Sequence, residues 1–318
     1  MIVHFILPGE TLESIAKEIS LENPQYLKEY HNQHCTKEDY IIDQLRPGKK
    51  VLIPDPDKIL QYNTNNAVAV ARPEFNPKLI FKPEKSDMKY QVKIVQDNKK
   101  DNNVISFQVT LTWVRKDKDE HIFYLSKNNF QDENNSKMID LAIQCITSLN
   151  PVEVRVNAKG EITKINLTKE VADNFQQIKE RLYDLFPDQY AALYIEEFEY
   201  VVQNEKLFDE RMKQDTFIAM YFAPIRNVFT NGISTFDHLI SDERIPITIN
   251  QKVKDVNYSE EIILLQDLKN AHPQNNIDYT GNYTLYTKTG IVKDIGISYN
   301  ISQYGVKYTT DLSVSDML

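Results

Sequence analysis

The chain switches between two hydrophobic periods, and the switches divide it. Val3 to Leu7 is a short apolar β-type run that stops at Pro8-Gly9. Leu12, Ile15, Ala16 and Ile19 then recur at helical spacing, with Thr11 placed as the N-cap. Asn23-Pro24 starts a second helix, a cap followed by proline at the first helical position, which presents Tyr26, Leu27 and Tyr30. LRPGKKVLIP gives a turn at Pro47-Gly48 and a short strand, Val51 to Ile53, stopped by Pro54. Residues 1–54 therefore read as a closed β-α-α-β unit.

The next stretch has no clear period. Pro56, Pro73, Pro77 and Pro83 recur among asparagines and lysines, which predicts a linker over 55–88. Its apolar residues, Ala67 to Ala71 with Phe75, Leu79, Ile80 and Phe81, predict that it lies along a folded body rather than as free coil.

The body, residues 89–318, opens with alternation. YQVKIV, VISFQVTLTWV and HIFYLS predict strands, and Met138 to Leu149 a short helix. PVEVRVNAKGEITKINLT and YTLYTKTGIVKDIGISYNI each predict two strands about a tight turn, at Lys159-Gly160 and Thr289-Gly290. The two share a loose pattern that fits either a duplicated β unit or two hairpins of one class. Between them a helical insert is predicted at about 169–229, punctuated by Pro187 and Pro224. Residues 245–268 return to alternation, and SVSDML reads as a frayed end. The fold class is α+β: a small βααβ module, then a larger antiparallel curved-sheet domain with inserted helices.

Composition narrows the function classes. With 318 residues, 41% hydrophobic and 26% charged, this is a globular chain long enough for more than one domain. A formal charge of −9 argues against general nucleic-acid binding, which needs a basic face. No apolar run approaches the roughly 18 residues of a membrane span. Met1 to Leu7 lacks the charged start of a secretory signal, so the expectation is a cytoplasmic protein that reaches the envelope only by another export route. Cys35 and Cys145 make no disulfide framework, and Cys145 within IDLAIQCITSL reads as a small buried apolar residue.

Candidate chemistry is sparse. Glu196, Glu197 and Glu199 cluster in YIEEFEY, but on a helix they form a solvated face opposite Ile195, Phe198 and Val202. His31, His34 and Cys35 make H-x-x-H-C, short of the four ligands of a structural zinc site. There is no G-x-S-x-G, P-loop or G-x-G-x-x-G. No catalytic residue, metal or cofactor is therefore expected, and the reading favours binding.

The N-terminal unit carries a resemblance. HFILPGETLESIAKEI, then YLKEYHN, then LRPGKKVLIP resembles a LysM domain, with Gly9, Thr11, Leu12, Ile15, Ala16, Asn32, Leu45, Pro47, Gly48 and Pro54 in register. Glu10 replaces the commoner aspartate, His4 replaces an aromatic residue, and CTKEDYIIDQ lengthens the span before the last strand. The resemblance implies a shallow groove between Gly9, Glu10, Thr11 and Leu12 on one side and Leu45, Arg46 and Pro47 on the other. It implies either N-acetylglucosamine glycans such as peptidoglycan, or protein docking as in phage baseplates and contractile injection systems such as type VI secretion. Three readings follow. The first is an adaptor docked on a spike or baseplate component, its body holding a cargo or partner protein. The second is a peptidoglycan-binding envelope protein, and the third, weakest, a cell-wall hydrolase.

Overall fold

The computed structural model describes residues 2–36, 39–41, 45–64, 77–97, 102–132, 136–230, 232–240, 245–256, 261–269, 277–303 and 306–317. The chain divides into two compact units, residues 1–72 and 73–318.

The first unit contains β1 (Ile2–Phe5), α1 (Leu12–Glu18), α2 (Pro24–His34), β2 (Lys50–Ile53) and α3 (Pro56–Thr64). β1 and β2 pair antiparallel, from Ile2 opposite Ile53 to Phe5 opposite Lys50. Thr11 starts α1 through a reciprocal cap: Ser14 N–H donates to Thr11 Oγ1 at 3.2 Å, and Thr11 N–H to Ser14 Oγ at 2.9 Å. Ile15, Ala16, Leu27, Val51 and Ile53 meet in a small core.

Helix α3 departs from the expected linker. Pro56 stands at its first position, where a missing N–H costs nothing, so this proline starts a helix. Its Tyr62 stacks on Tyr26 with ring centroids 4.8 Å apart, and Asn63 bridges Glu22 N–H at 3.0 Å and Ser20 C=O at 2.8 Å. The apolar run Ala67 to Ala71 and Phe75 lie outside the described residues.

The second unit is an α+β body. It comprises β3 (Asp87–Asp97), β4 (Asn102–Asp117), β5 (Glu120–Asp132), α4 (Lys137–Ser148), β6 (Val152–Val156), β7 (Ile162–Leu167), α5 (Lys169–Asp173), α6 (Phe175–Leu185) and α7 (Gln189–Gln203). It continues with α8 (Glu205–Met212), α9 (Thr216–Tyr221), β8 (Ile233–Ile240), β9 (Ile245–Val256), β10 (Glu261–Leu268), β11 (Ile277–Tyr286), β12 (Val292–Gln303) and β13 (Val306–Asp316). All these strands join one antiparallel sheet of 11, ordered β7-β6-β5-β4-β3-β13-β12-β11-β10-β9-β8. The chain meanders from β3 out to β7, crosses through α5–α9 to the opposite edge at β8, and meanders back until β13 pairs with β3.

That closure corrects the sequence expectation for SVSDML. Ser315 pairs with Gln91 and Asp316 with Tyr90, and Met317 N–H donates to Lys89 C=O at 2.9 Å. Leu312 and Val314 keep the two-residue period and face the core, so the terminus is a central strand. Register shifts in β4–β5, β9–β10 and β11–β12 mark bulges, which add bend and twist to the sheet.

The helical insert ends at Tyr221, because Pro224 bars further helix. Helices α4, α6 and α7 share a separate apolar cluster of Leu141, Cys145, Leu182, Ala191 and Ile195, which gives Cys145 the buried apolar place expected of it. Among the described residues, no helix is long and apolar enough to cross a membrane.

Candidate functional site

The interior of the sheet is organised by α9 and the residues after it. TFIAMYFAPI is apolar nearly all round, so it cannot rest at a surface. Phe217, Ile218, Met220, Tyr221, Phe222, Ala223 and Ile225 are all buried, and Asp215 caps the helix by accepting from Ile218 N–H at 3.0 Å. Asp215 also pairs with the buried Lys127 of β5.

Polar groups from opposite parts of the sheet fix this plug. Tyr283 OH donates to Met220 C=O at 2.9 Å, and Tyr90 OH lies 2.9 Å from Tyr221 OH while donating to Val292 C=O at 2.6 Å. A buried ladder crosses β8 to β11. Gln251 Nε2 donates to Ser234 Oγ at 3.1 Å and to Ile225 C=O at 2.8 Å. Gln266 Nε2 donates to Gln251 Oε1, and Tyr279 OH to Gln266 Oε1, both at 2.8 Å. Gly281 leaves room for it, since a Cβ there would lie 2.9 Å from Gln266 Oε1. With its backbone groups met in this way, the plug is a fixed wall.

Beside that wall lies a cleft of about 1020 Å³, at the upper end of the range for ligand sites. Met220, Phe222, Tyr299 and Ile301 give it an apolar side, while α8 contributes Asp209 and Glu210 and the turn after it Lys213 and Gln214. Carboxylates of Asp97, Glu161 and Asp237 also border it. Among the described residues Lys213 is the one cation lining it, and its ammonium already donates to Asp209 at 2.8 Å and to Thr163 C=O at 3.0 Å. The lining is therefore net negative.

His238 of β8 also borders the cleft. Its Nε2 is shielded from solvent and has no hydrogen-bond partner among the described residues. Burial pushes its pKa down to about 4, so the ring is neutral near pH 7.

The two edges of the sheet are treated differently. At β7, α8 covers the edge: Asp209 Oδ1 accepts from Ile165 N–H at 2.7 Å, and Lys213 Nζ donates to Thr163 C=O. At β8, a strand lies on one side only among the described residues, and Ile233 and Leu239 are each 41% exposed.

In the first unit the residues named by the LysM resemblance fall in two adjoining turns. Ile6 joins them, with its N–H on Lys49 C=O and its C=O on Gly48 N–H, both at 2.9 Å. Glu10 is engaged within its own loop, where Leu7 N–H at 2.7 Å and His4 Nε2 at 2.8 Å hold its carboxylate below the usual range. Thr11 is the cap described above, and Leu12 and Leu45 are half-buried against the core. Gly9 takes φ +89° and Gly48 φ +83° with open space at the Cβ position, so conformation, not crowding, demands glycine there. Arg46 and Pro47 are exposed.

Other clusters noted in the sequence have structural roles. His31 is buried, its Nδ1 accepting from Leu52 N–H at 3.1 Å and its Nε2 bonding Asp39 C=O at 2.8 Å, so both ring nitrogens are taken. His34 Nδ1 bonds Tyr30 C=O at 2.7 Å. Glu196 and Glu197 are exposed on α7, and Glu199 pairs with Lys179 at 2.5 Å.

The residues that build the cleft escaped the sequence reading. Two sequence features mark the plug beside it, not the cleft lining itself: Arg226 is a lone cation closing the apolar run from Thr216, and Gln251 and Gln266 break the apolar alternation at inward positions.

No protein-family model matches the chain, and no curated protein matches its sequence. Among solved structures it is similar to one of lipid–protein interactions in lipovitellin, at 11% identity and a TM-score of 0.37. That match covers 77% of this chain, which spans about a quarter (26%) of the lipovitellin chain. It is also similar to a putative outer membrane lipoprotein-sorting protein domain from Vibrio parahaemolyticus, at 8% identity and a TM-score of 0.23, covering 74% of this chain and 87% of that one. Likenesses this slight carry no functional argument.

Proposed function

We propose that the chain is a non-enzymatic adaptor whose body holds a cargo or partner protein in the cleft beside α8 and α9. The cleft carries this reading: it joins an apolar side, part of it on the fixed plug, to polar groups from other elements, the composition of a recognition site. The N-terminal unit, in this reading, is a LysM-like module that docks on a spike or baseplate component of a contractile injection system. A photo-cross-linking residue placed at Gln214, at the cleft, tests the holding role in the native cell. A discrete protein adduct from Gln214, absent when the same residue replaces Lys93 on the outer face of β3, is expected. Adducts at neither position, or equal adducts at both, contradict it.

A second reading rests on the adjoining turns at Gly9–Leu12 and Leu45–Pro47, the place where LysM modules bind peptidoglycan. It predicts that the chain sediments with purified sacculi and that Thr11→Ala with Arg46→Ala weakens retention. Equal sedimentation of a chain lacking residues 1–54 counts against it.

A further inference from the structure

The cleft has a feature that narrows its occupant. Asp237, His238 and Leu239 are consecutive in β8, and all three border it. Successive residues of a strand point to opposite faces, so a cavity on one face alone would meet every second residue. This one therefore meets both faces of β8 near its end, as it meets both faces of β13 at Tyr308, Thr309 and Thr310. α8, the helix that covers β7, lines it as well. The cleft thus borders both edge strands, β7 at Ile162 and β8 at Asp237–Leu239, and β8 has a strand on one side only among the described residues.

A bare edge dictates what can fill it. In an antiparallel pair, every second residue turns its N–H and C=O away from its neighbour; on β8 those of Ile233 are taken by Thr230, and Thr235, Asp237 and Leu239 continue the row opposite β9. Only an extended backbone meets such a row in register. Natural sheets protect exposed edges with charge, proline or a covering element, and here α8 does so for β7. On β8 no element covers the strand among the described residues; Ile233 and Leu239 are apolar and half-exposed, with one charge, the exposed Asp237, on the same face. The lining adds two constraints. Its excess of carboxylate over ammonium disfavours an acidic segment and attracts a basic one. His238 Nε2, shielded and without a partner among the described residues, offers a hydrogen bond to a group arriving in the cleft.

We infer that β8 accepts, by strand addition, an extended segment of a partner protein carrying alternating apolar and basic residues. The inference rests on the adaptor reading above and specifies how the cargo is held.

A fluorescein-labelled peptide of alternating lysine and valine, matched to the eight residues of β8, serves as the probe for the full chain. Three controls accompany it: the same peptide N-methylated at every peptide nitrogen, a glutamate–valine peptide, and a helical leucine–lysine peptide. Fluorescence anisotropy is expected to show saturable binding of the lysine–valine peptide, with each control at least about tenfold weaker. Leu239→Lys, at a half-exposed position, is expected to weaken it by a similar factor of about ten. If that variant loses its fold, the N-methylated comparison on the wild-type chain still decides. Equal binding of the N-methylated or the helical peptide overturns strand addition. Equal binding of the glutamate–valine peptide overturns the basic partner. If no peptide binds yet Gln214 cross-links a protein, the inference falls and the adaptor reading stands; if neither occurs, both fall.

Discussion

Arg226 gives two hydrogen bonds to a single atom, the carbonyl oxygen of Gly290, from Nε at 3.1 Å and Nη2 at 2.7 Å. Its Nη1 reaches Lys159 C=O at 3.3 Å, and its guanidinium lies 4.5 Å from the centre of the Phe81 ring. One buried cation thus ties the residues after the plug to both hairpin turns and to the segment before β3. The arginine is neutralised by carbonyl dipoles and an aromatic face, and burial lowers its pKa to about 10.

Arg226→Met leaves two carbonyls without their donor and is expected to lower stability by about 3 kcal/mol. Gly290→Ala is expected to cost at least as much. Gly290 sits at φ +67°, and a Cβ there would lie 1.6 Å from Ile80 C=O, so backbone would have to move. Urea titration of both variants checks the pair, and a Gly290→Ala chain as stable as wild type would refute the packing described.

The tyrosine cluster predicts an alkaline transition. Burial raises the pKa of Tyr90, Tyr279 and Tyr283, and that of Tyr221 to about 12. Above pH 10 the unfolded chain releases phenolic protons that the folded chain retains, so stability is full below pH 10 and declines as pH rises towards 12. Tyr90→Phe should cost more than Tyr221→Phe, by about 1 kcal/mol, because Tyr90 also serves Val292 C=O. Thermal melts between pH 8 and 12 measure both effects.

His238 predicts the opposite limb. Its pKa is about 4 when folded and near 6.5 when unfolded, so between those values the unfolded chain binds the extra proton. Stability present above pH 6.5 is lost as pH falls towards 4, by up to about 3 kcal/mol from this residue. His238→Gln should flatten that part of the profile. An unchanged acid limb in the variant would show that the ring is not held neutral.

His31 predicts an effect in the first unit. Its Nδ1 accepts and its Nε2 donates, so the ring links Leu52 of β2 to Asp39. His31→Ala unpairs the buried Leu52 N–H and the partly buried Asp39 C=O and is expected to cost about 2–3 kcal/mol. His34→Ala, at a residue whose ring stacks on Tyr30 at 4.3 Å, should cost about 1 kcal/mol or less. Zinc should leave the melting temperature of the wild type unmoved, because both His31 nitrogens are occupied; a zinc-dependent rise would contradict this.

Local signals in the sequence carried far, and long-range pairing did not. The period-2 runs before residue 130, the hairpins at Lys159-Gly160 and Thr289-Gly290, and the helices from Phe175 to Tyr221 follow from pattern and turn chemistry alone. SVSDML looked like a frayed end because its partner, Asp87–Asp97, lies more than two hundred residues earlier, and no local pattern records that pairing. Helix α3 was hidden by prolines that mark a helix start as readily as a linker. The cleft was invisible for a related reason: its walls include residues of β3, β8, α8, α9, β12 and β13, and only the long-range pairing of the sheet brings them together. His238 was one scattered histidine until its strand and burial gave it a place.

Amide hydrogen exchange with the lysine–valine peptide bound tests whether the body receives an extended partner segment along β8. New protection is expected within residues 233–240 of β8, with unchanged exchange in residues 162–167 of β7, whose edge α8 already covers. Protection confined to α8 and α9, or spread equally over both edges, would contradict it.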